Sequence, residues 1–557
     1  MKIVWISISL LCAIFFGAFM MTPFFAQRIH LGDQFQGLYQ PMANDVYFYM
    51  SRIQDVLDGH QFISNSYLWE HKDGLPQQLF LAENMLARPL ALFHLTTQQG
   101  IVLYTGILNG VVFLLFYRVL YAMSRSRLAS ILGSFVFLVG FFSLKFLRPV
   151  SPQFNFIFFL TQFLFLWKII QTDTRTKWFV ANGLNLGLLV YIYPYYWTFF
   201  LLLIVLLLYT VRKLVLTLGI AALIAVPYAI LAIKASHLPE YDETLTRLGM
   251  ITTRFPSGID VLIVCVSIVL LFWFCIRRNL LSADLKVRFF LLALAASMIV
   301  MNQHLLTNKN LEFSSHYFLG GITIAFFAFM YLLYNAKLSQ FRRTLLTKTL
   351  TFMAIIIIAH GAIGFGKSVI DTPPNLILQS YAPILRWLHQ NTPNESVVYA
   401  DEELSTLIPA HTRNNVYFAR NANLFFLSDD ETIDRVLINH YFDTINAQWV
   451  RDHVREVYGV RYQDIYGHQT QENKLRKFLR MPQKSTVLLP DDAIDRVVIR
   501  ARHIQGMTFE QALRNYRVDY IVWEPSRNPS WKIADQKFLR LVVAIGTFKL
   551  FQVSFEQ

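Results

Sequence analysis

The sequence predicts a polytopic α-helical membrane protein of about eleven spans, followed by an extracytoplasmic α/β domain. Three observations carry that reading. Of the 557 residues, 55% are hydrophobic and only 15% charged, a balance outside the range of soluble domains. Apolar runs long enough to cross a bilayer recur through the first two thirds of the chain. The connections between them alternate between Lys/Arg-rich and Lys/Arg-poor, as cytoplasmic and outer loops do.

The first run, from Ile3 to Phe25, is too long for a signal-peptide core and continues through Phe19, Met20 and Met21 without a small-residue cleavage site, so it reads as an uncleaved anchor. Further runs lie near 101–123, 128–144, 154–171, 179–197, 198–211, 214–234, 259–276, 289–303, 317–335 and 349–366, with Pro194 near the join of the fourth and fifth. Basic residues mark one set of connections: Arg118, Arg125 and Arg127; Lys168, Arg175 and Lys177; Arg212 and Lys213; Arg277, Arg278, Lys286 and Arg288; Lys337, Arg342, Arg343 and Lys348. Holding these inside puts the N-terminus in the cytoplasm and 26–100 and 367–557 outside. Lys145 and Arg148 fall on an outer loop against that trend. The net charge of +14 is thus a topology signal, and no basic stripe interleaved with aromatics points to nucleic acid. The three cysteines, Cys12, Cys265 and Cys275, lie in or at apolar runs, which leaves the outer domain without disulfides and without Cys-based zinc spacing.

Two soluble pieces therefore flank the membrane region 1–366. In the long first outer loop, 26–100, Val46, Tyr49, Met50, Ile53, Val56 and Leu57 fall at helical spacing, with Gly59 as a stop. Asp45, Arg52, Asp55 and Asp58 lie largely off that stripe. A second half of the loop carries Glu83 and Arg88 among apolar residues. The domain 367–557 begins at Asp371-Thr-Pro-Pro. SYAPILRWLHQN reads as a helix, ESVVYA, NVYFA, TVLLP, DYIVWE and LVVAIGTFKLFQVS as strands, and 430–440 and 508–515 as helices, enough for a core of its own.

Residues able to carry chemistry sit at the outer edge of this plan. Asp45 has two readings: a carboxylate acting as general base or metal ligand, or a cap for the helix that follows. Arg52 and Asp55 read either as part of that site or as a solvated helix face. Arg148, in KFLRPVSPQFNF, either holds a lipid phosphate or snorkels to head groups. The loop 235–258 gathers Asp242, Glu243, Arg247 and Arg254. The loop 302–317 offers Asn302, Gln303, His304, Lys309, Glu312 and His316, with its two histidines too far apart for a helical zinc pair. Asp401, Glu402, Glu403 and His411 follow a strand and read as a polar loop.

The segment NDVYFYMSR resembles the first-loop acidic motif of the oligosaccharyltransferase catalytic subunit, with Asp45, Tyr47, Phe48 and Arg52 matching. The whole chain resembles the GT-C class of integral-membrane glycosyltransferases, which use polyprenyl-phosphate or polyprenyl-diphosphate sugar donors. No WWDYG-type motif occurs in 367–557, so transfer to protein asparagine is not implied, and Asp242–Glu243 matches the family's second acidic motif only loosely. The resemblance implies an inverting transfer to an extracytoplasmic glycan, lipid or protein acceptor. Asp45 would be the catalytic residue or the ligand of a divalent cation, magnesium or manganese. Arg52, Arg148, Arg254, Lys309 and His316 would hold the lipid phosphate. A transporter or flippase of lipid-linked glycans is the alternative from another class, but it calls for charges deep within broken spans. A non-catalytic membrane scaffold is a further one.

Overall fold

The structure is a computed structural model describing residues 2–171, 175–310, 316–337 and 339–555. Among these, six helices are long and apolar enough to cross a membrane: Thr97–Ser124, Pro149–Ile170, Leu214–Ala235, Ile259–Arg277, Tyr317–Asn335 and Thr344–Asp371. A seventh crossing is formed if Trp5–Met20 and Thr22–Gln34, bent by 41° at their junction, count as one. The expected eleven is therefore not reached by length and composition. Arg127–Phe141 and Pro194–Leu207 are apolar but shorter. Between 179 and 211 the helix breaks at residues 191–193, and Pro194 opens the next helix, where its missing N–H costs nothing. The last apolar helix runs on to Asp371, past the expected boundary at 366/367.

Lipid supplies no hydrophobic drive between helices, so contact quality holds them together. Rings do much of this work: Phe116 stacks on Phe137, Phe163 meets Phe289 and Phe327, and Trp167 packs edge-on to Tyr331. Where Thr176–Val190 crosses Leu214–Ala235, Gly183 and Gly187 let the backbones touch. A Cβ at Gly183 would lie 2.8 Å from the Thr217 carbonyl oxygen, so a side chain there forces the pair apart.

The C-terminal sheet has the order β2-β1-β3-β5-β4, from β1 (Val397–Tyr399), β2 (Asn415–Val416), β3 (Tyr520–Trp523), β4 (Leu539–Ile545) and β5 (Phe548–Val553). β1 is parallel to both β2 and β3, while β3, β5 and β4 run antiparallel. TVLLP, expected as a strand, is irregular backbone leading into the helix Asp491–Gln505. Strand alternation divides the core in two. Val397, Tyr399, Ile521 and Phe551 face helices from 433 to 513, and Val398, Ala400, Val522 and Leu550 face the opposite way.

That second face is completed by the first loop. Leu38, Phe48, Ile63, Tyr67 and Leu68 pack with it, and the Val416 amide donates to the Tyr67 carbonyl at 2.9 Å. Ion pairs reinforce the seam: Arg435 to Glu70 at 2.9 Å, and His71 to Glu431 at 3.0 Å. The loop 235–258 docks beside it. The buried Arg247 guanidinium donates to Asp429 at 2.8 Å and to the Leu427 and Asn423 carbonyls, while the Glu243 carboxylate accepts the Asp429 amide at 2.6 Å. The first loop, the loop 235–258 and the C-terminal domain thus pack together.

Candidate functional site

The helix Val46–Leu57 is held from two directions. Val46, Met50 and Ile53 pack toward the membrane bundle with Phe24, Ile101 and Phe154, whereas Phe48 packs into the C-terminal domain. Asp45 precedes it with φ 64° and ψ 11°, a left-handed conformation that Asp tolerates better than most residues. Its side chain makes no hydrogen bond to the helix amides, so it does not act as a cap. The carboxylate is 54% exposed and accepts instead from Arg148 Nη1 at 2.8 Å.

Arg148 is fixed by the irregular segment it begins. Pro149 and Pro152 interrupt regular helix there, and Arg148 Nε donates to the Ser151 carbonyl at 2.7 Å. The guanidinium is 25% exposed. Behind it lie the half-buried Tyr49, whose phenol desolvation pushes up to about 12, and Tyr193. His316 completes the group, edge-on to Tyr195 at 4.7 Å and nearly parallel to Tyr193. Burial, then the charges of Arg148 and Lys145, pull its imidazole down to about 3, so it is neutral at physiological pH. Lys145 sits 4.9 Å from the Phe318 ring centroid, and burial followed by Arg148 lowers its ammonium pKa. One carboxylate thus faces water beside a cationic lobe of Arg148 and Lys145. Lys145 was not singled out as a site residue from sequence, although its place on an outer loop against the charge trend was the available signal.

Other expected site residues are placed elsewhere. Arg52 is 1% exposed, with Nε on Glu83 at 2.7 Å and the Phe48 ring 5.4 Å away. It is a buried ion-paired residue, because the face opposite the apolar stripe is covered too. Asp55 is likewise buried against Lys72. Arg254 donates to Asn308 at 3.2 Å, and the Lys309 backbone pairs with that of Thr252, so the two loops meet there. Glu312 lies outside the described residues. Glu243 is committed to the docking of Asp429.

A divalent cation on Asp45 fits poorly. An arginine occupies its oxygen, a lysine stands beside that arginine, and among the described residues Asp45 belongs to no cluster of three or more metal-ligating side chains.

On the C-terminal side of Tyr47 opens a cavity of about 540 Å³, walled by Tyr47, Asp401, Glu402, Glu403, Arg420 and Arg527. Asp401 caps the helix Glu402–His411 through the Leu404 amide, which turns this acidic run into a wall instead of the expected loop. Arg527 bridges Glu403 at 2.8 Å and Arg420 approaches Glu402 at 3.7 Å.

A separate first-loop carboxyl, Asp58, accepts from Gln54 at 3.0 Å and lies 3.9 Å from Arg413; burial raises it to about 7. A raised acid contributes stability below its unfolded value of 3.8, and that contribution is lost as pH climbs to 7. Asp58→Asn should therefore match the parent in melting temperature at pH 4 and exceed it increasingly up to pH 8, which thermal melts in detergent will read.

No family model and no curated protein matches this chain by sequence. Solved structures do match by shape. ArnT from Cupriavidus metallidurans bound to undecaprenyl phosphate aligns with a TM-score of 0.51 at 11% identity, over 97% of this chain and 99% of that one. The same protein in the apo state gives 0.49 at 10% identity, over 92% and 95%. The Archaeoglobus fulgidus oligosaccharyltransferase in the apo form gives 0.47 at 13%, over 94% of this chain and 70% of that one. The chain has a GT-C-like fold: a region of long apolar helices followed by a small C-terminal sheet.

Proposed function

We propose that this protein is a GT-C glycosyltransferase that moves a sugar from a polyprenyl-phosphate carrier to an acceptor on the outer face of the membrane. The observation that carries the reading is the Asp45–Arg148 pair, an accessible carboxylate released from helix capping and set against a cationic lobe where the apolar bundle meets the soluble domain. The shape-matched ArnT structure binds undecaprenyl phosphate, a ligand of the chemistry such a lobe would take.

In this mechanism Arg148 and Lys145 hold the carrier phosphate, the guanidinium matching its oxygens. Asp45 takes the proton of an acceptor hydroxyl as its oxygen attacks the anomeric carbon. The bond from that carbon to the phosphate oxygen breaks, polyprenyl phosphate leaves with the electron pair, and the anomeric centre inverts. The fixed positive charges act on charge that grows on the leaving oxygen, which is where electrostatic catalysis is strongest. Neutral His316 and Tyr193 pack behind the lobe and hold it in place. The cavity bounded by Tyr47 and Glu403 offers room for the acceptor. The alternation of Lys/Arg-rich connections supports an extracytoplasmic position for the site.

Binding tests the reading without knowledge of the sugar. Reconstituted in lipid nanodiscs, the chain should retain undecaprenyl phosphate and release undecaprenol, measured by native mass spectrometry. Equal retention of the two lipids would remove the phosphate site.

A further inference from the structure

The C-terminal domain holds a second constellation, remote in sequence from Asp45. His440 ends the helix Asp429–Asn439, His453 joins the short helices Ala447–Asp452 and Val454–Tyr458, and Glu456 lies three residues beyond His453. One ring nitrogen from each histidine and a carboxylate oxygen of Glu456 all lie within 4.8 Å of one another. His440 Nε2 and Glu456 Oε2 are 3.3 Å apart. Two ligands of a tetrahedral zinc ion, at bonds of about 2.0–2.1 Å, are separated by about 3.3 Å.

The outer atoms of the rings fix which nitrogens are free. His453 Nδ1 is 2.8 Å from the Trp449 carbonyl, which can only accept, so Nδ1 carries the hydrogen and Nε2 the lone pair. His440 Nδ1 is 2.7 Å from the Asp443 carboxylate, which leaves its Nε2 likewise directed away. This carboxylate- and carbonyl-backed arrangement is the support that metal-bound imidazoles characteristically have. Trp449 stacks on the His453 ring at 4.0 Å and meets His440 edge-on, so both rings are oriented before any ligand arrives. The side chains of His440 and Glu456 are 18% and 12% exposed. His440 Nε2 and Glu456 Oε2 face each other as an ion pair, and among the described residues neither atom has a further hydrogen-bond partner.

We infer that His440, His453 and Glu456 form a divalent-cation site of the class zinc fills, with one position left for water or another oxygen ligand. The cation ties the end of one helix to the two short helices that follow. Glu402, on the cavity wall, lies within electrostatic reach of all three ligands, so the site also steadies that wall. The inference does not depend on sugar transfer.

The test uses the full chain, purified in detergent with any affinity tag removed, stripped with a chelator, equilibrated with zinc ion alone, desalted and analysed for metal. About one zinc per chain is expected in the parent and in Asp45→Asn, with less than about a tenth of that in His453→Gln and Glu456→Gln. Zinc should raise the melting temperature of the parent and leave both variants unmoved. Cobalt(II) in the unaltered protein, where folding is not in question, should give the strong visible bands of a four- or five-coordinate site. A parent that takes up no stoichiometric zinc would show a proton-bridged histidine–carboxylate cluster and overturn the inference. So would Glu456→Gln retaining zinc at the parental level, since the ion would then be elsewhere.

Discussion

Asp45→Asn should lower sugar transfer by about 10³-fold, within the range for loss of a positioned general base. Melting temperature should stay within a degree or two of the parent. The two expectations separate because the substitution changes one property of the side chain. Asn tolerates the left-handed backbone that Asp45 adopts, and its amide oxygen can still accept from Arg148, so the local fold has no reason to move. What disappears is the capacity to take a proton. Carrier binding should persist or tighten slightly, since a negative charge next to the phosphate has been removed. Near-parental turnover in this variant would exclude Asp45 as the base. In vesicles, the comparison is a kcat for transfer beside a Kd for undecaprenyl phosphate.

Arg148→Ala should lower both carrier binding and transfer. Its guanidinium donates to Asp45 and to the Ser151 carbonyl from a quarter-exposed position, which leaves donor capacity toward the membrane edge. A charge-assisted hydrogen bond to phosphate contributes about 1.5–3 kcal/mol, so losing the pairing should weaken carrier binding by about 10–150-fold. Transfer should fall further than binding, because the same charge acts on the leaving oxygen. Arg148→Lys restores charge without the planar fork, and partial recovery of binding is expected. If Arg148→Ala binds undecaprenyl phosphate as the parent does, the phosphate lies elsewhere and the lobe is structural.

Much of the architecture was legible because bilayer length and apolarity leave few alternatives. Leu214–Ala235, Ile259–Arg277 and Tyr317–Asn335 fall where the apolar runs lie. The count of eleven is not confirmed where helices are short: composition alone does not distinguish a span from a shorter apolar helix such as Pro194–Leu207. The first-loop helix was legible from its 3.6-residue stripe, but the fate of its charges was not. A stripe identifies one buried face, and this helix is buried on two, between the bundle and the C-terminal domain. Arg52 and Asp55 therefore turn inward onto Glu83 and Lys72 instead of outward to a ligand. Asp45 had two readings in sequence, and only backbone geometry separates them: the left-handed turn carries the carboxylate off the helix axis and onto Arg148. His440 and His453 are thirteen positions apart, a spacing with no local signature, and only the packing of three helix ends brings them together.

The central claim is that the chain consumes a glycosylated polyprenyl phosphate. Its most direct test is the carrier pool of the cells that naturally hold it, with the chromosomal copy deleted and complemented by the parent or by Asp45→Asn, and membrane lipids quantified by mass spectrometry. The account predicts that one glycosylated polyprenyl phosphate accumulates in the deletion and in Asp45→Asn, and returns to its basal level with the parent. Glycosylated carriers present at the same level in all three strains would contradict it.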